Sequence, residues 1–458
     1  MLQKKKTRVH FVGIGGIGMS GIAEVLLNLG YEVSGSDLRD SDVIRRLGSL
    51  GARVHLGHRK ENLPGNPSAV VISAAVKFSN PEVLEARRRH IPVIPRAEML
   101  AELMRMKYSV AVAGSHGKTT TTSMVAAVLG VAGLDPTMVI GGRVKSLGSS
   151  ARLGQGEMLV AEADESDGSF LLLSPTIAVV TNIDREHMDF YQTLDCLTDS
   201  FLTFINKVPF YGLAVLCLDD PRVRGLISKV KKRFTTYGFS PEADFYGKDL
   251  QAKAMEVQFS VWHRSRSLGK LRLHMPGRHN AMNALAAVAV GQELEIPFDR
   301  VAEALEGFTG IHRRFEIKGE PGGVMVIDDY GHHPSEIQAT LLAIRDGWSR
   351  PLTVIFQPHR YSRTRDLFDE FLTAFDGTDR LILTEIYPGG EERLEGIRAE
   401  GLYRAIKRRG HIEVEFISDK EEIAGRLLPR LKAGDMVLTL GAGDIYTVGE
   451  ALVELLQS

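Results

Sequence analysis

Cysteine is almost absent from this sequence, since Cys196 and Cys217 are the only two among 458 residues. Two cysteines are too few for a disulfide framework and too isolated for a cysteine-rich metal site. We therefore expect two structural thiols in a protein that resides in a reducing compartment.

Net charge and long apolar runs are also missing. The 56 Lys+Arg and 57 Asp+Glu residues leave a formal charge of -1, which argues against a nucleic-acid-coating protein and against an acidic scaffold. The best apolar run, Val125 to Leu134, is shorter than the ~18 residues that a membrane span requires. Lys4 to Lys6 precede a glycine-rich stretch without a cleavage site, which is not a secretory signal. The sequence thus predicts a cytoplasmic protein without a membrane span or a nucleic-acid partner.

The length and the alternation of patterns indicate the fold class. At roughly 150 residues per domain, the chain is long enough for about three domains. Short β-branched runs alternate with helical patterns, which is typical of α/β proteins with parallel sheets and crossover helices. We predict an N-terminal Rossmann-like domain over 1–106, a central P-loop ATPase-like domain with a mostly parallel sheet over 107–311, and a C-terminal Rossmann-like domain over 312–458.

Buried strands are expected wherever the β-branched runs are densest. In the first domain they lie at 9–12, 32–36, 69–73 and 91–94, with a helix over 97–106; in the second at 108–113, 158–163 and 177–181; in the third at 324–327, 352–356, 381–384 and 436–440. Shorter alternating segments between 243 and 275 predict antiparallel strands that flank the main sheet.

A glycine-rich motif, Gly13-Ile14-Gly15-Gly16-Ile17-Gly18, connects the first predicted strand to a helix, and Asp37 ends the next strand. Glycines at this spacing let backbone amides approach a diphosphate, and the helix N-terminus adds partial positive charge. A nicotinamide dinucleotide and a sugar nucleotide fit this motif equally well. It therefore predicts a diphosphate site without choosing the ligand.

A second loop, Gly114-Ser115-His116-Gly117-Lys118-Thr119, follows an apolar strand and begins a helix with Thr120. It is shorter than the usual phosphate-binding loop, because Val112 stands where the first glycine would be required. Its chemistry is intact: amides surround phosphate, Lys118 reaches the β and γ phosphates, and the Thr119 hydroxyl can bind Mg²⁺. The loop predicts nucleoside triphosphate binding.

Two polar clusters follow the next two strands of the second domain. They are 162–167, which reads EADESD, and 181–187, which reads TNIDREH. The carboxyl ends of parallel strands share one edge of a sheet, so both clusters can face the phosphate loop. Carboxylate oxygens and the His187 imidazole beside phosphates suit Mg²⁺ better than zinc, which prefers a compact His/Cys set.

Taken together, the motifs of this chain resemble those of the Mur ligases over essentially its whole length. The resemblance rests on an ordered set, which reads GIGGIGMSG, RAEMLAELMR, GSHGKTTT, EADESD, TNIDREHMD, HNAMNALAA, HRRFE, DDYGHHP, FQPHRYSRT and GAGDI. The short phosphate loop, unusual by the general pattern, is the form that this family uses.

The resemblance implies an ATP-dependent ligase of peptidoglycan synthesis and favours the branch that joins L-alanine to the lactyl carboxylate of UDP-N-acetylmuramate. The γ-phosphoryl group of ATP would activate that carboxylate as an acyl phosphate, and the alanine amine would then displace phosphate. It further implies two Mg²⁺ ions, with Mn²⁺ as a substitute, and a monomer or weak homodimer.

Site residues are carried over by their place in the family motifs. Lys118 would stabilise the transferring phosphoryl group, Thr119 with Glu162 would hold the first Mg²⁺, and His187 would hold the second. The remaining implied roles are UDP-sugar binding by Gly13, Gly15, Gly16, Ile17, Gly18, Asp37 and Ser73; ATP binding by Gly114, Ser115, His116, Gly117, Lys118, Thr119, Thr120, Asn280, Asn283, Arg314 and Asp329, with Arg314 also catalytic; and amino-acid binding by Tyr330, His332, Arg360 and Arg363.

Departures from the family pattern are few. Ser115 replaces a threonine, Ala74 replaces a serine after Ser73, and Glu186 stands where the family more often has aspartate. Other Mur ligases use a carbamylated lysine beside the second metal, but no lysine follows Tyr191 before Lys207, so we do not predict that modification. The general base that deprotonates alanine is not evident from the sequence, and His332 is one candidate.

Three alternatives stay open on the sequence. A related ligase recycles a cell-wall tripeptide onto UDP-N-acetylmuramate, although its first glycine motif usually departs from the one found here. An NAD-dependent oxidoreductase would use the first glycine motif and leave the phosphate loop unexplained. A nucleotide-gated binding protein would use that loop as a switch and would hydrolyse ATP without amino acid or sugar nucleotide.

Overall fold

The computed structural model describes residues 7–73, 75–140, 151–152, 154–410 and 413–457. Within these residues the strands form three sheets, of five, ten and six strands. The predicted α/β class with three domains is confirmed, whereas the exact domain boundaries stay a prediction. By packing, residues 1–247, 261–269 and 282–308 form one compact unit and the rest a second unit.

The N-terminal sheet is fully parallel and has the strand order β3-β2-β1-β4-β5, which is the order of a Rossmann fold up to its fifth strand. Its strands are β1 (Arg8–Val12), β2 (Glu32–Asp37), β3 (Arg53–Leu56), β4 (Ala69–Ile72) and β5 (Val93–Pro95). Its helices are α1 (Ile17–Asn28), α2 (Asp42–Ser49), α3 (Pro81–Arg88) and α4 (Arg96–Arg105). The order reverses between β1 and β4, so the crevice at their carboxyl ends is the expected ligand position.

The central sheet has the order β15-β14-β13-β12-β11-β10-β6-β9-β7-β8. Its strands are β6 (Tyr108–Ala113), β7 (Thr137–Val139), β8 (Ala151–Arg152), β9 (Met158–Glu162), β10 (Ile177–Val180), β11 (Leu213–Cys217), β12 (Phe234–Gly238), β13 (Phe245–Lys253), β14 (Glu256–His263) and β15 (Arg266–Leu273). Its helices are α5 (Lys118–Val131), α6 (Met188–Tyr191), α7 (Leu194–Ile205), α8 (Pro221–Leu226), α9 (Arg278–Glu293) and α10 (Phe298–Glu306). The strands expected to flank this sheet extend it instead, as its last three strands on one side.

The C-terminal sheet has the order β16-β17-β21-β18-β19-β20 and is parallel except for β16. Its strands are β16 (Glu316–Gly319), β17 (Met325–Asp329), β18 (Leu352–Phe356), β19 (Arg380–Leu383), β20 (Val414–Phe416) and β21 (Met436–Leu440). Its helices are α11 (Pro334–Gly347), α12 (Tyr361–Asp366), α13 (Phe368–Phe371), α14 (Ala399–Arg408), α15 (Ile423–Leu427) and α16 (Tyr446–Gln457).

Helices cover both faces of the C-terminal sheet. Val354 and Phe356 of β18 belong to one apolar cluster, while Ile355 between them belongs to another. Because neighbouring residues of a strand point to opposite faces, both faces of this sheet are buried, as in other doubly wound folds. After β18 the chain continues towards β19, whereas α16 returns from β21 to pack on β17. The connections thus diverge at the carboxyl ends of β18 and β21, which marks a ligand crevice.

Candidate active site

The first glycine loop lies at the carboxyl end of β1 and gathers the residues predicted to bind the UDP-sugar. Gly13 adopts a φ of +80°, and a Cβ there would lie 3.0 Å from the Ser73 hydroxyl. The Gly15 amide donates to Asp37 Oδ2 over 2.8 Å. Gly16 is the N-cap of α1, and Ile17 is the first residue of that helix. The predicted departure at Ala74 lies outside the described residues.

Asp37 stays a predicted ligand contact, and one of its carboxylate oxygens also accepts the Gly15 amide and so holds the loop. Arg96 is an addition that the sequence analysis missed. A Cβ on Gly18 would lie 2.9 Å from Arg96 Nη1, so this guanidinium packs against the first turn of α1. A cation there is well placed for a diphosphate bound at the helix N-terminus.

The phosphate loop, Gly114 to Thr119, is held by the segment that follows β10. The Thr181 hydroxyl and the Asn182 side-chain Nδ2 both donate to the His116 carbonyl, over 2.6 and 3.0 Å. The Asn182 carboxamide oxygen accepts the His116 amide at 2.8 Å. Asn182 therefore binds both backbone groups of His116 and fixes the loop.

Glycine is required at two positions of this loop. Gly114 has a φ of +138°, and a Cβ there would lie 2.0 Å from the Thr181 hydroxyl oxygen. Gly117 is the left-handed N-cap of α5, with a φ of +79°. The sequence showed the glycines, but it did not show that Thr181 occupies the space a side chain would need.

Lys118 is the first residue of α5 and turns back over the loop. Its ammonium donates to the carbonyls of Gly114 and Ser115 over 2.6 and 3.1 Å and to Glu165 Oε1 over 2.8 Å. Burial works against its charge, but Glu165 and Asp164 hold the pKa of Lys118 above its usual value. A permanently charged lysine inside a phosphate loop is suited to a phosphoryl group.

Glu165 is the carboxylate that connects Lys118 to His187. Burial raises the pKa of Glu165 to about 7, and its Oε2 is buried without a hydrogen-bond partner among the described residues. Ligand atoms of Glu165, Glu186 and His187 all lie within 4.8 Å of one another. Two carboxylates and one imidazole around an unsatisfied buried oxygen fit a divalent cation, and the oxygen-rich set favours Mg²⁺.

The other predicted metal ligands also come together. The Thr119 hydroxyl donates to Glu162 Oε1 over 2.8 Å, so two oxygen ligands lie at the carboxyl end of β9. Thr119, Glu162 and His187 were predicted as metal ligands, whereas Glu165 and Glu186 had no separate predicted role. Their position directly after β9 and β10 was the available signal.

Asn280 and Asn283, both predicted to bind ATP, lie on α9, and both are buried. Asn283 Oδ1 accepts the Thr121 hydroxyl of α5 over 3.1 Å, and a Cβ on Gly117 would lie 2.7 Å from the same oxygen. Asn280 Nδ2 donates to the Pro276 carbonyl over 2.7 Å. One side-chain amide atom of each asparagine is therefore engaged in a hydrogen bond within the protein.

Asp329 and Arg314 lie at the end of β17 and in the loop before β16. Both oxygens of Asp329 accept backbone amides, from Phe315 and Gly331, each over 2.7 Å, and burial raises the pKa of Asp329 to about 6. The Arg314 guanidinium lies 5.1 Å from the Tyr330 ring centre. Asp329 thus holds the loop that carries Arg314.

The predicted amino-acid-binding residues lie after β17 and β18. The rings of Tyr330 and His332 meet edge to face at 5.5 Å. Arg360 is the N-cap of α12, and Arg363 lies one turn later on that helix. Arg360 Nε is buried without a hydrogen-bond partner in the part of the chain that the structure describes. A buried unsatisfied donor beside a second guanidinium suits a small carboxylate.

A shortened phosphate loop with a buried lysine, a carboxylate cluster for a divalent cation and two doubly wound domains define a nucleotide-dependent α/β enzyme. Models of the Mur ligase family match the chain in order: the family's catalytic-domain model over 8–108, its middle domain over 112–291 and its glutamate ligase domain over 313–443. This chain belongs to the Mur ligase family.

Individual relatives are similar along their full length. The UDP-N-acetylmuramate–L-alanine ligase of Geotalea daltonii is 59% identical over 453 residues, covering 99% of both chains. The protein of that name from Myxococcus xanthus is 57% identical and covers 98% of this chain and 95% of its own. A crystal structure of UDP-N-acetylmuramate-alanine ligase from Thermotoga maritima superposes with a TM-score of 0.81 at 30% identity, over 98% of this chain and 99% of the other. In the described part of this chain, no helix combines the length and apolarity needed to cross a membrane.

Proposed function

We propose that this protein joins L-alanine to the lactyl carboxylate of UDP-N-acetylmuramate with ATP, through an acyl phosphate, giving UDP-N-acetylmuramoyl-L-alanine, ADP and phosphate. The observation that carries this proposal is the 59% identity along 99% of both chains to a relative named for that reaction. The product is a peptidoglycan precursor, and its synthesis belongs in the bacterial cytoplasm.

The protein performs this reaction by positioning and charge neutralisation, since phosphoryl transfer needs little covalent work from side chains. Lys118 holds its charge beside the transferring group. Thr119 and Glu162 are suited to one Mg²⁺, and Glu165, Glu186 and His187 to a second; Mn²⁺ would be accepted by the same ligands. A bound divalent cation supplies charge neutralisation for the phosphates.

Roles for the remaining residues stay proposals. The loop of Gly13 to Gly18 binds the UDP moiety together with Asp37 and Ser73, and Arg96 adds a cation beside the diphosphate. Asn280 and Asn283 contact adenine, Arg314 contacts phosphate, and Asp329 shapes that region and contacts ribose. Tyr330, His332, Arg360 and Arg363 receive L-alanine. We propose a monomer or weak homodimer.

Phosphate release tests this function. ATP, Mg²⁺ and UDP-N-acetylmuramate are supplied with L-alanine, L-serine, glycine or the cell-wall tripeptide. We expect release that requires both the sugar nucleotide and L-alanine. Preference for the tripeptide would make the protein a recycling ligase, and release that needs neither substrate would point to a nucleotide switch.

A further inference from the structure

The crevice at the carboxyl ends of β18 and β21 contains an aromatic residue to which the sequence analysis gave no role. Tyr387 follows β19, and its backbone pairs with the segment after β18. Its amide donates to the Pro358 carbonyl, and its carbonyl accepts the Arg360 amide, each over 2.8 Å. This short parallel bridge brings the rings of Tyr387 and His359 into a stack, with centres 5.6 Å apart and planes 11° from parallel.

His359 in turn holds one of the two arginines of the amino-acid site. Arg363 Nη1 lies 3.1 Å from His359 Nδ1. A guanidinium can only donate, so the histidine accepts at Nδ1 and a neutral ring carries its proton on Nε2. The centre of the His332 ring lies 5.6 Å from the centre of the His359 ring. The direction of the Arg363 guanidinium is therefore linked to the ring that Tyr387 stacks upon.

The loop after β21 packs on Tyr387. A Cβ on Gly443 would lie 2.6 Å from Tyr387 Cγ and 2.3 Å from Gln357 Oε1. Gly443 does not need a left-handed backbone, so space alone requires a glycine there. Gln357 is buried, and its Nε2 donates to Asp444 Oδ1 over 2.9 Å, which fixes the same loop. The Tyr387 ring is thus in contact with Gly443 as well as with His359.

We propose that Tyr387, packed against Gly443, is a positioning residue of the amino-acid site. Its ring holds His359, and through His359 it holds the Arg363 guanidinium in the direction that receives the substrate carboxylate. This inference rests on the proposed function, because it takes Arg363 as a carboxylate-binding residue. Stacking requires the ring of Tyr387 and does not require its hydroxyl.

The test compares Tyr387→Ala with Tyr387→Phe in steady-state phosphate release. We expect Tyr387→Ala to raise the KM for L-alanine on the order of ten-fold, because the Arg363 hydrogen bonds to the substrate are misdirected. The KM for ATP should stay within about two-fold of the unmodified protein. Tyr387→Phe keeps the stack and should restore both values. Tyr403→Ala, on the remote helix α14, is the matched control.

Gly443→Ala provides a second approach that leaves Tyr387 in place. The added methyl group displaces the tyrosine ring, so the KM for L-alanine should again rise, whereas Gly401→Ala, which adds a methyl group in open space, should leave this KM unchanged. An unchanged KM in Tyr387→Ala, or an equal rise in the KM for ATP, would overturn the proposal. A Tyr387→Phe variant as impaired as Tyr387→Ala would overturn it too.

The same data separate this inference from the proposed function. If the unmodified protein prefers another amino acid or the tripeptide, the proposed function fails, and the Tyr387 variants are compared with that substrate instead. A selective rise in its KM would still support the positioning role.

Discussion

At the scale of single residues, Gly114 shows how strictly one position of the phosphate loop is determined. We expect Gly114→Ala to abolish ATP turnover, because the new Cβ would overlap Thr181 and the φ of +138° disfavours any side chain. Phosphate release measures the loss. Gly130→Ala, also in this domain, is the control, since it has open space within α5 and should raise stability by about 0.5–1 kcal/mol. Full activity in Gly114→Ala would contradict the conformation described here.

The hydrogen bonds of Glu82 lead to a second prediction, which concerns the free energy of unfolding. It is fully buried in the N-terminal domain and accepts hydrogen bonds from His10, Ser36, Asn62 and the Arg59 amide. Burial opposes the charge, but these donors hold the pKa of Glu82 below its usual value of 4.5. Glu82→Gln should cost roughly 1–3 kcal/mol in the free energy of unfolding at neutral pH, because two donors then face an amide group.

The pH dependence of Glu82 has a defined sign. A carboxylate whose pKa is lowered by folding stabilises the protein above its unfolded pKa and loses that contribution as the pH falls through the folded value. The difference in melting temperature between the unmodified protein and Glu82→Gln should therefore shrink below about pH 4.5. Glu61→Gln, at an exposed position nearby, should show no such trend. A difference that stays constant with pH would mean that folding does not lower the pKa of Glu82.

At the scale of elements, the hydrogen bond between α5 and α9 links the phosphate loop to the proposed adenine contact. Thr121→Val keeps the shape and removes the hydroxyl that Asn283 accepts. We expect the KM for ATP to rise about five-fold or more, because an unsatisfied buried amide costs on the order of 1 kcal/mol. The KM for UDP-N-acetylmuramate should not change. Thr203→Val, on the exposed face of α7, is the control, and equal rises in both KM values would contradict the assignment.

A comparison of the predicted strands and site residues with the observed ones indicates what could be predicted from the sequence and why. Strands rich in β-branched residues, such as β6, β18 and β21, match their predicted bounds, because burial on both faces produces an unmistakable apolar run. The strand β3 was missed, since most of its residues are exposed and no apolar pattern marks it. The two polar clusters that contain Thr181, Asn182 and Glu165 were expected beside the phosphate loop, but the contacts of these three residues were not predicted, because sequence spacing does not show which side chain reaches a loop.

At the scale of the whole molecule, the N-terminal and central domains share a continuous apolar cluster that includes Val9 and Phe11 of β1 and Ala111 and Leu159 of the central sheet. A polar contact accompanies it. Arg96, which packs on Gly18, lies 3.8 Å from Asp164 Oδ2. Burial disfavours the Asp164 charge, but Lys118 and Arg96 both lower the pKa of this carboxyl group. The Asp164 carboxylate therefore interacts with Lys118 of the phosphate loop and with Arg96 beside the first glycine loop.

Because Arg96 and Lys118 lie beside different glycine loops, replacing each of them should affect the binding of UDP-N-acetylmuramate differently. Arg96→Ala should weaken UDP-N-acetylmuramate binding about ten-fold, because a charge-assisted contact to the diphosphate is lost. Arg96→Lys should recover part of the loss, since the charge remains without the planar fork. Lys118→Ala should abolish turnover yet leave that affinity within about two-fold, because Lys118 donates hydrogen bonds to Gly114, Ser115 and Glu165 of the central domain. Calorimetric titration of the sugar nucleotide measures all three. An equal loss of affinity in Lys118→Ala would mean that one site, not two, binds the substrates.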